Sequence, residues 1–423
     1  MKRIVVTGIG AVSPLGNSFQ ESWEAAKAGG TGIRPITRFD TSQIKWKVAG
    51  ELRGFYSEAY LSQKEVGHLD PFVQYAVAAA MMAVEDAGLI QNIEYRIQNP
   101  PPHPPFDKGG RRGGNLLSSA AVIIGSSRGG ISTIENSLRG SNGSKLSPYL
   151  MPSTTVSAAA SYVAQKLGIK GHCLGISNAC ASGANAIGEA YRLIKSGYKW
   201  PVIAGGTEAP ICRLCVEGYG VSGALSKVND SSASRPFDAT RDGFVLSEGA
   251  CVLVLEGYET ALKRGARIYG EVIGYGNTTD AFHQIRPSPE GEARAISLAI
   301  KEAGLSPGAV DYISAHAPST PLGDKAETEA IKVVFGKMAH EIPVSSVKSM
   351  IGHMLSASGA FEAAITLMSL REGVITPTIN LKNNDPECDL RYVTETKRGE
   401  IKTAISNSFG FGGVNAVLVF KRV

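Results

Sequence analysis

The sequence predicts an α/β protein in two halves, each a sheet of largely parallel strands covered by helices. Three observations carry this. Short apolar runs alternate with helical stretches along the chain, the alternation starts afresh near Gly270-Glu-Val-Ile-Gly-Tyr-Gly, and 423 residues are too many for one ordinary compact core. The halves are taken as residues 1–268 and 269–423.

In chain order, Ile4-Val-Val-Thr reads as a buried strand, followed by Gly8-Ile-Gly10 and a helix over 17–27. Gly-x-Gly after a strand invites a dinucleotide reading. The third glycine and the acidic residue about twenty positions on are misplaced for it, so a tight turn is the better account. A helix over 69–87 turns Tyr75-Ala-Val-Ala-Ala-Ala-Met-Met82 inward. Residues 97–115, with prolines crowded after Asn99 and then Lys108, Arg111 and Arg112 among glycines, suit neither helix nor central strand and read as an exposed insert. Ala120-Ala-Val-Ile-Ile124 resumes the sheet, a helix spans 155–167, and strands follow at 173–177, 201–204 and 251–255. The second half reads as helices over 293–303, 324–335 and 354–370, with strands at 310–315, 343–347, 402–406 and 415–421.

Composition narrows the class. With 43% hydrophobic and 19% charged residues the chain is that of a soluble globular protein. A net charge of +5 without a long Lys/Arg run favours acidic partners and gives little support to nucleic acid. No run approaches a membrane span, and the N-terminal apolar run is broken too early for a signal peptide, so the expected setting is the cytoplasm. The six cysteines fit no disulfide framework. Cys212 and Cys215 form a lone CxxC with no second pair and no histidine at ligand spacing, which argues for accidental spacing over zinc or redox chemistry.

The chemistry is sought at Gly175-Ile-Ser-Asn-Ala-Cys-Ala-Ser-Gly-Ala-Asn-Ala-Ile-Gly188, where a thiol stands between an apolar run and a helix of very small residues expected to run from about 180 to 195. A thiol at a helix start feels unpaired amides and a positive dipole end, which stabilise thiolate, and the same amides can hold an oxyanion. A small buried cysteine of the core would look the same, and this stretch alone leaves both readings open. In open α/β sheets ligands gather beyond the carboxyl ends of strands. Four segments end there in reactive or permissive residues: Cys180, His316, His353 and the turn Gly410-Phe-Gly-Gly413. A Cys/His/His metal site is the rival reading, but no carboxylate is offered to complete it, so covalent catalysis is favoured and no metal is expected.

At these residues the chain resembles the β-ketoacyl-[acyl carrier protein] synthases, the elongating condensing enzymes of the thiolase superfamily. The shared motifs are Asn178-Ala-Cys-Ala-Ser-Gly183, Ser234-Arg-Pro-Phe-Asp238 with Arg241-Asp-Gly-Phe-Val245, Ala315-His316, Val347-Lys-Ser-Met-Ile-Gly-His353 and Asn407-Ser-Phe-Gly-Phe-Gly-Gly413. The resemblance implies a thiolase fold, five-layered αβαβα from two similar halves, in a homodimer. It implies that Cys180 accepts an acyl chain from the phosphopantetheine arm of an acyl carrier protein, with no permanently bound cofactor. The backbone N–H groups of Cys180 and Phe411 would form the oxyanion hole. His316 and His353 would polarise the malonyl thioester for decarboxylation, and Lys348 would organise the site with Glu362. Phe409 and Phe411 would line the acyl gate, and Thr320 would hold the pantetheine arm.

Three departures from the family pattern stand out. Pro318 replaces a threonine in His316-Ala-Pro-Ser-Thr320, removing a hydroxyl from the arm's path. Arg128 takes an apolar position bordering the acyl pocket, which predicts short, polar or unusual acyl groups unless the guanidinium turns to solvent. The carrier-docking patch keeps Lys64 and Lys145, but Gly67, His68 and Ser144 stand where cations are usual. A specialised polyketide-like or unusual-lipid ketosynthase and a catalytically silent chain-length-factor-like subunit are therefore carried as alternatives.

Overall fold

The structure, a computed structural model, describes residues 2–90, 116–139 and 146–423; the insert at 97–115 and Lys145 lie outside the described residues. Its main element is an eleven-stranded sheet. The strands are β1 (Ile4–Val12), β2 (Ala121–Gly125), β3 (Cys173–Ile176), β4 (Val202–Glu208), β5 (Gly249–Gly257), β6 (Gly270–Thr279), β7 (Tyr312–Ser314), β8 (Pro343–Ser345), β9 (Arg391–Tyr392), β10 (Thr403–Gly410) and β11 (Val414–Lys421). They lie in the order β9-β8-β7-β10-β11-β6-β1-β5-β4-β2-β3. Up to β5 the order is third-second-fourth-fifth-first, and from β6 the same order recurs with β9 added at the edge. The two sets meet only where Ile4–Val6 of β1 pairs antiparallel with Gly270–Val272 of β6.

The expectation of largely parallel sheets needs correction. Parallel pairing is confined to the flanks, β4-β2-β3 and β10-β7-β8-β9. The middle is antiparallel because the last two strands of each set run in opposite directions and the first returns beside the fifth. A strand-helix alternation fixes crossovers between parallel neighbours, but two successive strands with no helix between them, such as β10 and β11, can close as an antiparallel hairpin.

Helices α1 (Pro71–Asp86) and α2 (Ala158–Leu167) pack on β1 to β5, while α4 (Pro289–Glu302) packs on β6 and β11, with α5 (Pro321–Phe335) against it. Between the two sets of strands lie α3 (Ser182–Lys195) and α6 (Ser356–Glu372), each touching strands of both, so the layers read α-β-α-β-α. Three of these outer helices, α1, α4 and α5, start by rule. Asp70, Ser288 and Thr320 each accept a backbone N–H from the first turn, and each is followed by proline. The central pair is possible because it is built of small residues. A Cβ on Gly183 would sit 2.3 Å from the Ser356 carbonyl oxygen, and one on Gly359 would sit 3.0 Å from Ala184.

Element limits moved in places that matter. The helix after the thiol begins at Ser182, leaving Cys180 ahead of it. The stretch expected as one helix over 155–167 begins only at Ala158, preceded by a separate turn of helix at Leu150–Thr154. A further helix, Arg213–Val221, went unrecognised; Cys212 is its N-cap and Cys215 lies in its first turn, both buried. No helix among the described residues is long and apolar enough to cross a membrane.

Candidate active site

The repeat brings equivalent connections together. Cys180 lies between β3 and α3, His353 at the corresponding place between β8 and α6, His316 between β7 and α5, and Phe411 in the hairpin of β10 and β11. One cavity of about 320 Å³ is lined by Cys180, His316, His353, Thr320, Phe409 and Phe411. A sulfur and two imidazoles distant in sequence thus share one space.

Cys180 is presented by a strained bend. Ala179 holds φ +46, a left-handed conformation that costs a non-glycine residue about 1 kcal/mol or more. The bend is braced by Ser182, whose hydroxyl accepts the Asn178 N–H at 2.8 Å and donates to the Ala179 carbonyl at 2.6 Å. The Phe411 N–H donates to the Cys180 sulfur. Gly410 favours this close approach: a Cβ there would lie 3.1 Å from the Cys180 backbone nitrogen, tighter than ordinary contact.

Thiolate stabilisation at the helix start does not carry through to the resting state. Burial pushes the Cys180 thiol up to about 11, against the pull of the Lys348 ammonium and the Phe411 N–H. The sulfur sits ahead of the helix, and desolvation outweighs the amides. Cys180 therefore rests as the neutral thiol. Alkylation of Cys180 by iodoacetamide should accelerate about tenfold per pH unit from 7 to 10, because the thiolate fraction rises by that factor below the pKa. A plateau near pH 7, followed by peptide mass spectrometry, would contradict it.

Both imidazoles are neutral donors. Burial, the Lys348 charge and, for His316, the neighbouring His353 hold them well below the usual histidine range. The sign follows: below pH 6.5 the unfolded chain binds protons that the folded chain refuses, so stability is full above that value and falls as pH drops. Their rings stand edge to face with centroids 5.3 Å apart. Lys348 Nζ lies 3.4 Å from His316 Nδ1, and an ammonium can only donate, so His316 carries its hydrogen on Nε2. Ser358 accepts the Met354 N–H at 2.9 Å and lies 3.1 Å from His353 Nδ1; a hydroxyl hydrogen donated to that nitrogen would give His353 the same tautomer.

Lys348 is fully buried and completely used, donating to the His316 carbonyl at 2.6 Å, to Glu362 and to His316 Nδ1. Burial raises the Glu362 carboxyl to about 7 while Lys348 pulls it down. Glu327, which the sequence reading missed, holds the His316 loop: it accepts the His316 N–H at 2.9 Å, the Ala317 N–H at 2.7 Å and the Asn407 amide at 2.8 Å. The available signal was Asp324 and Glu327, two acids three residues apart on the face of α5 that buries Ala326, Ala330 and Ile331. Ser358 and Tyr219 were missed as well, and nothing in their local sequence marks them.

The remaining expected residues fall as follows. Thr320 lines the cavity, and its hydroxyl oxygen accepts the Gly323 N–H at 3.2 Å, leaving its hydrogen free for a ligand. Pro318 lines the cavity beside it. Phe409 packs on His316 with centroids 6.0 Å apart, and Phe411 is 37% exposed. Arg128 is exposed, with Nε donating to the Tyr219 hydroxyl at 2.8 Å; Tyr219, not Arg128, is the cavity wall. The guanidinium thus opposes burial of an alkyl chain less than its position in the sequence suggested. Lys64 is exposed on the short helix Gln63–His68.

The sequence matches the description Beta-ketoacyl synthase, N-terminal domain over residues 1–261 and Beta-ketoacyl synthase, C-terminal domain over residues 269–382. The chain belongs to the β-ketoacyl synthase family. A 3-oxoacyl-[acyl-carrier-protein] synthase 2 from Synechocystis is 44% identical, with 100% of this chain and 98% of that protein covered. The structure is similar to the ishigamide ketosynthase/chain length factor, with a TM-score of 0.88, 34% identity and 100% and 99% of the two chains covered. It is also similar to a type II polyketide ketosynthase solved with its acyl-carrier protein and the hexaketide, with a TM-score of 0.85, 32% identity and full cover of both chains. The five layers are the thiolase-like fold of the ketosynthases.

Proposed function

We propose that this β-ketoacyl synthase family member joins an acyl group held on Cys180 to malonyl-[acyl carrier protein], giving 3-oxoacyl-[acyl carrier protein] and carbon dioxide. The observation that carries the reading is one cavity holding a thiol hydrogen-bonded by the Phe411 N–H and two neutral imidazoles. Cys180 attacks the thioester of a carrier-borne acyl chain. The oxyanion rests on the N–H groups of Cys180 and Phe411, and the thiol proton leaves with the carrier's sulfur. Malonyl carrier then enters, and its thioester oxygen accepts hydrogen bonds from His316 and His353. Loss of carbon dioxide leaves an enolate those donors stabilise, and its carbon attacks the acyl-Cys180, returning the sulfur as leaving group. Lys348, fixed by Glu362, keeps His316 in the donating tautomer.

The substrates arrive on phosphopantetheine, so no resident cofactor enters the scheme. Thr320, Phe409 and Phe411 border the arm and acyl paths, and Lys64, with Lys145, offers cations to an acidic carrier. The halves 1–268 and 269–423 act as two thiolase-like units, the first bringing the nucleophile and the second the histidines. Six free thiols fit a reducing cytoplasm. The test is a stoichiometric assay with acyl- and malonyl-carrier substrates across chain lengths. One 3-oxoacyl product per carbon dioxide is expected; decarboxylation without condensation at every length would refute the reading and restore the silent-subunit alternative.

The working form is a homodimer. β3 is an unpaired edge, exposed along Cys173 and Leu174. Met151 (68% exposed), Leu214 (53%) and Val221 (79%) add exposed apolar surface that a partner would cover. Sedimentation should give twice the 44.5 kDa chain mass, and Leu174→Lys should shift it toward one. A monomeric native protein would refute it.

A further inference from the structure

Three acids line the cavity, and two are occupied. Asp242 accepts from Ser226 at 2.6 Å and from Arg235 at 2.8 Å; Asp280 accepts from Asn415 at 2.6 Å and from the Ser288 N–H at 3.0 Å. Glu292, on the first turns of α4, is different. It is 1% exposed, its Oε2 is buried with no hydrogen-bond partner, and no ion pair reaches it among the described residues. It lies beside the turn that carries Phe411. A Cβ on Gly291 would strike Asp280 Oδ1, and one on Gly413 would come within 2.6 Å of the Asp280 Cβ, so the start of α4 and the Gly410–Gly413 turn pack on the same aspartate.

We infer that Glu292 is a specificity residue of the condensation: it recognises an oxygen of the bound acyl-pantetheine chain through a hydrogen bond from its carboxyl group. A buried carboxyl oxygen without an internal partner is costly, and a partner that comes with the substrate accounts for its place in the cavity wall. The group is a donor because it is the neutral acid. Burial and the nearby carboxylates of Glu327, Asp280, Asp324 and Glu329 hold it well above the usual carboxylate range. A neutral carboxyl offers one O–H to a carbonyl or hydroxyl oxygen and one oxygen to an N–H or O–H. A purely hydrocarbon chain satisfies neither. The oxygen can belong to the acyl chain, as a 3-oxo or hydroxyl substituent, or to an amide of the pantetheine arm.

The inference rests on the condensing reading, and the test separates the two. Wild type, Glu292→Gln, Glu292→Leu and Glu292→Met are compared by kcat/KM for acylation of Cys180. The primers are a saturated acyl group and its 3-oxo counterpart of equal length, each as a pantetheine thioester and as a truncated N-acetylcysteamine thioester. Loss of one hydrogen bond should lower the 3-oxo to saturated ratio about tenfold in the Leu and Met variants, while Gln, which still donates, keeps it within about threefold. If instead the pantetheine to N-acetylcysteamine ratio falls tenfold, the oxygen recognised is the arm's. If both ratios hold within threefold in the apolar variants, the inference is overturned. Wild-type protein that acquires no acyl group on Cys180 from any primer would strike the condensing reading instead.

Discussion

Cys180→Ala should abolish condensation, with a fall of more than about a thousandfold in kcat, because among the described residues no other thiol lines the cavity to form the acyl-enzyme. The fold should survive. Cys180 is only half-buried, and its loss costs about 1 kcal/mol of packing, small beside the total stability of a domain. His316 and His353 remain in place, so carbon dioxide release from malonyl carrier should persist while 3-oxoacyl product disappears. Measuring both products in the same reaction checks this. Equal loss of carbon dioxide would mean that the thiol also serves decarboxylation, and surviving condensation would point to another nucleophile.

Lys348→Met should be nearly as damaging, for two separable reasons. The substitution leaves Glu362 buried with both oxygens unpartnered, since Oε2 already has none. Breaking a buried ion pair on one side costs about 3–5 kcal/mol. It also removes the only donor to His316 Nδ1 among the described residues, so the ring is free to place its hydrogen there and present Nε2 as an acceptor. A carbonyl oxygen would then face a lone pair, and kcat should fall by about a hundredfold or more. The double variant Lys348→Met with Glu362→Gln distinguishes the two effects. Thermal denaturation should show most of the stability restored, while the condensation rate stays low. Recovery of rate together with stability would reduce Lys348 to a buried counter-ion.

These predictions turn on groups that differ in how far the chain announces them. Cys180 is legible as a candidate because a thiol stands between a strand and a helix of very small residues, and the histidines at other strand ends favour it over a core cysteine. His316, His353 and the Gly410–Gly413 turn are legible as strand-end residues once the alternation is traced. Glu327 and Ser358 are not, since each acts on a histidine through a hydrogen bond that only packing creates. The thiol's protonation reverses its local expectation: the dipole argument is sound for an exposed helix start, but Cys180 stands one bend before the helix, in a pocket where desolvation dominates. Arg128 likewise depends on its neighbour: its Nε donates to the Tyr219 hydroxyl, and Tyr219 rather than Arg128 lines the cavity.

By itself the order of residues determined the alternation of strands and helices, the restart near Gly270, the small-residue surfaces that let two central helices touch, and the reactive groups at strand ends. Those features are local, set by periodicity, side-chain size and turn chemistry within a few residues. Tertiary structure alone decided the antiparallel middle of the sheet, the tautomers of the two histidines, the neutral state of the thiol and the unpartnered carboxyl of Glu292. Each of these depends on which distant groups exclude water from one another and which donor meets which acceptor, and neither is encoded within any single stretch of chain.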